Sequence, residues 1–155
     1  MTRVYRILRK AFAGARTDGE GSFRFGGRWS NPGTRLAYTS EHLSLAMVEY
    51  FVHLDPVDIP ADLTLSTASI PDDISRERID PGALPVNWRD TPAPHRMTEI
   101  GDNFVRSGGS AIIIVPSALS PAESNWLINP GHPEFRGITI HRSEPFLYDR
   151  RFSRR

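Results

Sequence analysis

Several residue types are missing or scarce in this chain of 155 residues, and each absence excludes a class of function. The sequence contains no cysteine, which excludes disulfides, thiolate nucleophiles and cysteine-ligated zinc. No apolar run approaches the roughly 20 residues that are needed to cross a bilayer. The first ten residues also lack the apolar core of a signal peptide. These absences predict a soluble, cytoplasmic protein without a membrane partner.

The charge of the chain is nearly balanced, with a formal net charge of +1. This value is too small to predict general nucleic-acid binding. Lys10 is the only lysine among 19 basic residues, so the others are arginines. This excess of arginine over lysine reflects either genome composition or a role of some arginines in binding phosphate through the planar guanidinium group. Four arginines lie within residues 150–155. A solvated basic end is favoured, and a contact with nucleic acid or an acidic partner is the alternative.

Hydrophobic periodicity and turn residues predict one α+β domain over residues 1–155, with short mixed strands and two or three helices. The predicted strands are 4–8, 36–39, 63–70, 111–115, 125–128, 138–141 and 146–148. The predicted helices are 40–54, with Ser40 as N-cap, and 93–106, which stops before Gly108. Residues 11–30 and 71–92 are predicted to be irregular. No Gly-x-Gly-x-x-Gly motif follows a strand, which argues against a Rossmann nucleotide site.

The predicted helix 40–54 carries an isolated carboxylate, Glu49. Apolar residues occupy two nearly opposite surfaces of this helix, at positions 43, 46, 47, 50, 51 and 54 and at positions 45, 48 and 52. This pattern predicts a helix that is buried on both sides, with Glu49 on a narrow polar line shared with His42 and His53. A carboxylate there either pairs with an arginine or faces a cleft. The line spans three turns, too long for one ion, so no metal site is predicted.

Two other segments contain candidate binding residues. Arg28 follows Gly26 and Gly27, which allow close approach of the backbone to a ligand, and its guanidinium can bind a pyrophosphate or a carboxylate. An arginine that points to solvent is the alternative. Trp29 either fills the core or covers a base, and the core role is favoured.

The third segment, residues 117–132, begins with Ser117 at the end of a predicted strand. No Gly-x-Ser-x-Gly elbow or adjacent base accompanies it, so Ser117 is predicted to be a hydrogen-bonding or turn residue and not a nucleophile. Asn125 and Asn129 are either ligand-orienting residues or ordinary turn formers. His132 is a candidate general base only if it lies near Glu49.

Together these segments resemble the RES-domain family, the toxin halves of bacterial toxin–antitoxin pairs. The resemblance covers most of the chain and rests on the order and spacing of the segments at residues 5–7, 26–29, 37–40, 45–49 with 53, 115–117 and 125–130. Ser30 departs from the asparagine expected after Trp29, which leaves the role of that side chain open.

The resemblance implies a fold like that of ADP-ribosyltransferases and an enzyme that breaks the nicotinamide–ribose bond of its substrate NAD. Family members hydrolyse or phosphorolyse NAD, and some ADP-ribosylate a protein, so the acceptor stays open. Carried over to this chain, the catalytic residues are Glu49, Arg28 and Tyr38. The expected NAD-binding residues are Arg6, Arg28, Tyr38, Ser117 and Asn129. An Xre-type antitoxin is the implied partner.

The residue types suit that chemistry. Loss of nicotinamide leaves an oxocarbenium-like ribose, whose positive charge Glu49 can stabilise. Nicotinamide leaves as a neutral molecule, so no second carboxylic acid is required. Tyr38 can stack on the nicotinamide ring or position the ribose. A non-enzymatic module that binds through the basic C-terminal residues is the remaining alternative.

Overall fold

The chain folds around an eight-stranded mixed sheet with three α-helices, seen in a computed structural model that describes residues 1–15 and 18–155. The strands are β1 (Thr2–Arg9), β2 (Ala37–Ser40), β3 (Leu63–Ile70), β4 (Arg76–Arg78), β5 (Ile112–Pro116), β6 (Ser124–Ile128), β7 (Thr139–Ile140) and β8 (Glu144–Phe146). Their order is β4-β5-β6-β2-β1-β3-β7, and β8 also pairs with β3. Only the β4–β5 pair is parallel among these described strands.

The helices are α1 (Glu20–Phe25), α2 (Leu43–Phe51) and α3 (His95–Ser107). Short 3-10 helices occupy Lys10–Ala15, Pro81–Ala83, Pro133–Gly137 and Arg150–Phe152. None of the helices in the described ranges is both long and apolar enough to cross a membrane.

The core lies on both faces of the sheet, which explains the unbroken apolar run in β5. Ile112 and Ile114 belong to a cluster on one face, and Ile113 and Val115 belong to a second cluster on the other. Successive side chains of a strand point to opposite faces, so a strand covered on both sides is apolar throughout. The second cluster also contains Trp29, Leu36, Trp88, Met97, Phe104 and Leu127. This cluster joins α3 and the loop before β2 to the sheet.

The prediction that residues 11–30 are irregular is wrong, because α1 and a 3-10 helix lie there; residues 16 and 17 fall outside the described ranges. Six residues are too few for a helix that is stable by itself. Tertiary hydrogen bonds hold α1: the Ser22 hydroxyl donates to the Thr34 carbonyl oxygen at 2.9 Å and accepts from the Leu36 N–H at 2.8 Å. These partners are distant in the sequence, so local periodicity gave no sign of the helix.

The helix that carries Glu49 is shorter and less buried than predicted. It begins at Leu43, with His42 as its N-cap residue, while Ser40 belongs to β2. The prediction of burial on two sides is wrong, since Val48 is 44% and Val52 is 50% exposed. Leu45, from the same predicted surface, is only 1% exposed, so the buried part of that surface is limited to the first turn of α2.

The prediction of irregular structure for residues 71–92 is wrong at β4, a short edge strand of sequence Arg-Glu-Arg. Charged residues are typical of sheet edges, where they discourage pairing with other chains, and they resemble a loop in sequence. The other predicted strands are present with shifts of up to two residues at their ends. The predicted strand 63–70 matches β3. The helix α3 ends before Gly108, which is its C-cap residue with a φ of 63°.

The C-terminal residues pack on α2 and on the segment after it. The Tyr148 hydroxyl donates to the Met47 carbonyl oxygen at 2.6 Å, and the rings of Phe51 and Phe152 lie 5.4 Å apart. Arg155 donates from Nε to the Val57 carbonyl oxygen at 2.8 Å. Tyr148 and Phe152 therefore help to fix the position of α2, and Arg155 binds the segment that follows it.

Candidate active site

Glu49 is held in place by Ser117. The Ser117 hydroxyl donates to Glu49 Oε1 at 2.7 Å, across 68 residues of sequence. Ser117 Oγ also accepts the backbone N–H groups of Leu119 at 3.1 Å and Ser120 at 3.2 Å. The hydroxyl is fully buried, and both its proton and its lone pairs are engaged. Ser117 is therefore arranged to orient Glu49, whose Oε2 has no hydrogen bond from the described residues.

The start of α2 is bound to the loop that follows Ser117. Glu41 accepts the Ser124 N–H on Oε1 at 2.7 Å and donates its own N–H to the Ser124 carbonyl oxygen at 3.2 Å. His42 Nδ1 lies 2.7 Å from Glu123 Oε1. These contacts and the Ser117 bond fix α2 at two points, so the Glu49 carboxylate is pre-positioned.

The predicted polar line on α2 does not form a metal centre in the part of the chain that the structure describes. His42 is paired with Glu123 and makes no hydrogen bond to Glu49 in the described ranges. Across residues 1–15 and 18–155, no group of three or more histidines and carboxylates is arranged to hold an ion.

Arg28 lies at the tip of a tight turn whose ends, Gly27 and Ser30, pair through a 2.9 Å hydrogen bond. Trp29 is 2% exposed and anchors the turn in the core, as predicted. The Tyr38 hydroxyl accepts the Trp29 N–H at 3.1 Å and lies 2.8 Å from the Ser30 hydroxyl. Burial raises the pKa of Tyr38 to about 12, so this hydroxyl is neutral. Ser30 thus has a clear structural role as a partner of Tyr38.

The Arg28 guanidinium holds the loop before α3. Nη1 donates to the carbonyl oxygens of Trp88 at 3.0 Å and Asp90 at 2.8 Å, and Nη2 donates to Thr91 Oγ1 at 3.1 Å. A guanidinium has five N–H donors. Nε–H and one N–H on Nη2 therefore have no partner within the described ranges, and they are available to a ligand.

One further contact connects the turn at residues 27–30, here called the arginine turn, with the segment that holds the Glu49 carboxylate. Arg89 donates from Nε to the Ala118 carbonyl oxygen at 2.9 Å and so joins the 88–91 loop to the loop that begins at Ser117. Direct contacts thus run from Arg28 through residues 88–91 and 117–118 to Glu49. Hydrogen bonds and the adjoining backbone therefore link Arg28 and Tyr38 with Ser117 and Glu49.

Arg6 lies in the central strand β1 and faces α1. A Cβ on Gly21 would lie 3.8 Å from Arg6 Nη2. Burial lowers the pKa of the Arg6 guanidinium, while the charge of Asp18 opposes that shift. The expected contact of Arg6 with a dinucleotide stays a prediction.

The structure does not bring Asn129 or His132 to Glu49. Asn129 donates its N–H to the Ala111 carbonyl oxygen, at the end of the β5–β6 pair opposite to Ser117. Its side chain accepts the Gly131 N–H at 3.0 Å. His132 accepts the Glu134 N–H and caps the 3-10 helix that follows. His132 was a candidate general base only if it lay near Glu49, and these contacts place it elsewhere.

Sequence reasoning missed Asp102, a carboxylate on α3. Its oxygens accept the Asn31 N–H at 3.0 Å, the Asn31 side-chain amide at 2.8 Å and the Thr34 hydroxyl at 2.8 Å. Burial tends to raise the pKa of Asp102, but these hydrogen bonds outweigh it and hold the pKa below its usual range. No sequence signal marks this residue, because an aspartate on a polar helix face is ordinary.

Substitution of Ser117 by alanine is expected to destabilise the fold by about 1–3 kcal/mol. The change leaves the N–H groups of Leu119 and Ser120 without their acceptor and Glu49 without its donor. The measurement is urea unfolding, read as a lower midpoint with an unchanged slope. Ser120→Ala is the matched control, because it keeps the backbone donor. Equal midpoints for the two variants would contradict the assignment.

Comparison with solved structures defines the class of fold. A chain in the crystal structure of the Mycobacterium tuberculosis MbcT–MbcA toxin–antitoxin complex superposes with a TM-score of 0.76. The match covers 94% of this chain and 84% of that chain at 16% identity, so it shows the fold alone. The predicted α+β fold of the ADP-ribosyltransferase type is thereby confirmed.

Sequence comparison then gives the family. The family model described as "RES domain" matches residues 3–149. The "Prs ADP-ribosylating toxin" of Sphingobium sp. (strain YBL2) is 36% identical over 140 residues, covering 89% of this chain and 87% of that protein. A "Toxin Res" of Yersinia enterocolitica is 34% identical, over 86% and 87% of the two chains. The chain belongs to the RES-domain family, which confirms the resemblance seen in its sequence.

Proposed function

We propose that the protein is the toxin of a toxin–antitoxin pair and that it cleaves the nicotinamide–ribose bond of NAD. The observation that carries the proposal is the Glu49 carboxylate, fixed through Oε1 by Ser117 and free at Oε2 among the described residues. The names of the curated relatives, all toxins, support the biological role. The cleavage of NAD that the family resemblance implies supports the proposed reaction.

Glu49 is the residue that stabilises the transition state in this proposal. The bond between ribose C1′ and the pyridinium nitrogen breaks, and its electron pair goes to that nitrogen, so nicotinamide leaves neutral. The ribose becomes oxocarbenium-like, and the fixed carboxylate offsets its positive charge. An acceptor oxygen then bonds to C1′ and releases its proton. Because Ser117 already holds the carboxylate, little reorganisation is needed during the reaction.

Arg28 and Tyr38 position the substrate. The two remaining N–H donors of Arg28 bind the pyrophosphate, while its other donors keep the 88–91 loop in place. The Tyr38 hydroxyl is engaged with the turn, so its ring is the part that contacts the nicotinamide ribose. Arg6 remains a secondary candidate for holding the dinucleotide.

Transfer of ADP-ribose to a protein is the second candidate. It is favoured by the relative named as a "Prs ADP-ribosylating toxin", at 36% identity. The same carboxylate and arginine turn serve both reactions, which differ only in the acceptor. Water or phosphate gives NAD degradation, and a protein side chain gives a modified target.

Nicotinamide release from NAD by the purified protein is the direct test, in buffers with and without phosphate. We expect release in at least one buffer, and ADP-ribose 1″-phosphate as product if phosphate is the acceptor. A parallel reaction with labelled NAD and cell lysate distinguishes protein modification, because only transfer labels a protein band. Wild-type protein that releases no nicotinamide under any of these conditions would refute the proposal.

The proposed partner is an antitoxin, of the Xre type implied by the family resemblance. The structural relative in the MbcT–MbcA complex is itself bound in a toxin–antitoxin pair, which supports this expectation. Expression of the chain alone is expected to arrest growth, and co-expression of the neighbouring antitoxin gene should restore it. Normal growth without the antitoxin would contradict the toxin role.

A further inference from the structure

The loop that carries Arg28 is fixed from one side by α3. Gly101 packs so closely under this loop that a Cβ on it would lie 1.8 Å from the Trp29 carbonyl oxygen. The next residue, Asp102, receives three hydrogen bonds from Asn31 and Thr34, all between 2.8 and 3.0 Å. Gly101 and Asp102, two neighbouring residues of α3, therefore fix the position of the loop that carries Arg28.

Asp102 is the charged side chain of α3 that hydrogen-bonds this loop. It lies 71 residues from Asn31 in the sequence, so the bonds lock two distant segments. Its lowered pKa shows that the carboxylate is stabilised in its charged form by these donors. Hydrogen bonds to a charged acceptor are about twice as strong as neutral ones.

We propose that Asp102 is a positioning residue for NAD cleavage, which holds the Arg28 turn in its substrate-binding orientation. Asp102 touches neither the reacting atoms nor Arg28 itself. It acts through Asn31, which follows the turn directly, and through Thr34, three residues later. The position of the turn then determines where the Arg28 guanidinium lies. The inference rests on the proposed function, since Arg28 is the assumed contact to the dinucleotide.

The expected kinetic effect is a split between the two steady-state constants. In the proposed function Arg28 binds the pyrophosphate, away from the bond that breaks. A displaced turn therefore weakens binding of the ground state and of the transition state equally. Asp102→Asn should therefore raise KM for NAD by about tenfold or more, while kcat falls less. Thr34→Val, which removes a single hydrogen bond to Asp102, should give a smaller change in the same direction.

A double-mutant cycle with Arg28 tests whether Asp102 acts through the arginine. Once Arg28→Ala has removed the guanidinium, Asp102→Asn should have little further effect on kcat/KM. Glu99→Gln is the matched control on α3, because Glu99 is a surface carboxylate that pairs only with His95 and Arg96 among the described residues. Additive effects of the Arg28 and Asp102 substitutions, or an unchanged KM in both Asp102→Asn and Thr34→Val, would overturn the proposal.

Hydrogen exchange without NAD separates this inference from the proposed function. The N–H groups of Trp29 and Asn31 should exchange faster in Asp102→Asn than in wild type, while β5 amides keep their protection. If wild type releases no nicotinamide, the proposed function fails, and the exchange data alone decide whether Asp102 holds the turn. If wild type is active and Asp102→Asn matches it in both KM and exchange, only the positioning role fails.

Discussion

Replacement of Glu49 by glutamine should reduce kcat for NAD cleavage by about 10²–10³-fold, with a much smaller change in KM. Glutamine keeps the shape of the side chain and an oxygen that accepts the Ser117 hydroxyl, so the helix and its contacts stay in place. What is lost is the negative charge beside the developing oxocarbenium ion. Removal of one pre-organised electrostatic group costs about 2.7–4 kcal/mol of transition-state stabilisation in enzymes studied this way.

The measurement is nicotinamide release at saturating NAD, combined with thermal unfolding of each variant. Glu77→Gln on the exposed edge strand β4 is the control, because it removes the same charge at a position that pairs with Ile113 and makes no hydrogen bond to Ser117 or Glu49 among the described residues. Full turnover by Glu49→Gln would exclude the catalytic role. A large loss of thermal stability without loss of turnover would instead assign Glu49 to the fold.

The second large effect is expected for Gly101→Ala, which should lower the free energy of unfolding by about 3 kcal/mol. Helix propensity alone predicts the opposite sign, since alanine stabilises a helix interior by about 1 kcal/mol relative to glycine. Packing decides the outcome, because the new Cβ would lie 1.8 Å from the Trp29 carbonyl oxygen and 2.9 Å from its carbon. The α3 backbone and the turn must separate, and overpacking of this kind costs about 1–3 kcal/mol or more.

Thermal unfolding measures this effect, and a loss of 3 kcal/mol corresponds to a Tm lower by about 6–12 °C in a chain of this size. Gly109→Ala is the matched control, because an added Cβ there has no atom within 4 Å. A Tm for Gly101→Ala equal to or above that of wild type would show that α3 and the arginine turn are not in direct backbone contact.

The sequence predicted those elements whose stability is local or whose pattern is unambiguous. β3 was found with its true bounds because apolar and polar residue types alternate along it, and α3 because glycines end it sharply. The α1 helix was missed because its support comes from Thr34 and Leu36, beyond any local pattern. The two-sided burial of α2 was wrong for a related reason. Hydrophobic residues at Val48 and Val52 indicate a helix surface, but they do not say whether another element covers it.

The candidate site was predictable only in part. Residue types and family resemblance singled out Arg28, Tyr38, Glu49 and Ser117, but helix geometry alone left Glu49 open between a salt bridge and a cleft. The partner of Oε1 is not an arginine but a buried serine 68 residues away, and Oε2 has no hydrogen bond from the described residues. Asp102 was invisible for the same physical reason: its role is defined by Asn31 and Thr34, which only the folded chain brings close.

During synthesis on the ribosome, Glu49 is added to the chain long before Ser117, which orients its carboxylate. Glu49 and Ser117 are 68 residues apart, which corresponds to about 3–14 seconds at translation rates of about 5–20 residues per second. β2, which leads into α2, also lacks its neighbour β6 until residue 128 has been made. A nascent chain thus passes through a stage in which α2 exists without the strand and the serine that orient its glutamate. The order of the strands delays completion of the candidate site until most of the chain has been synthesised.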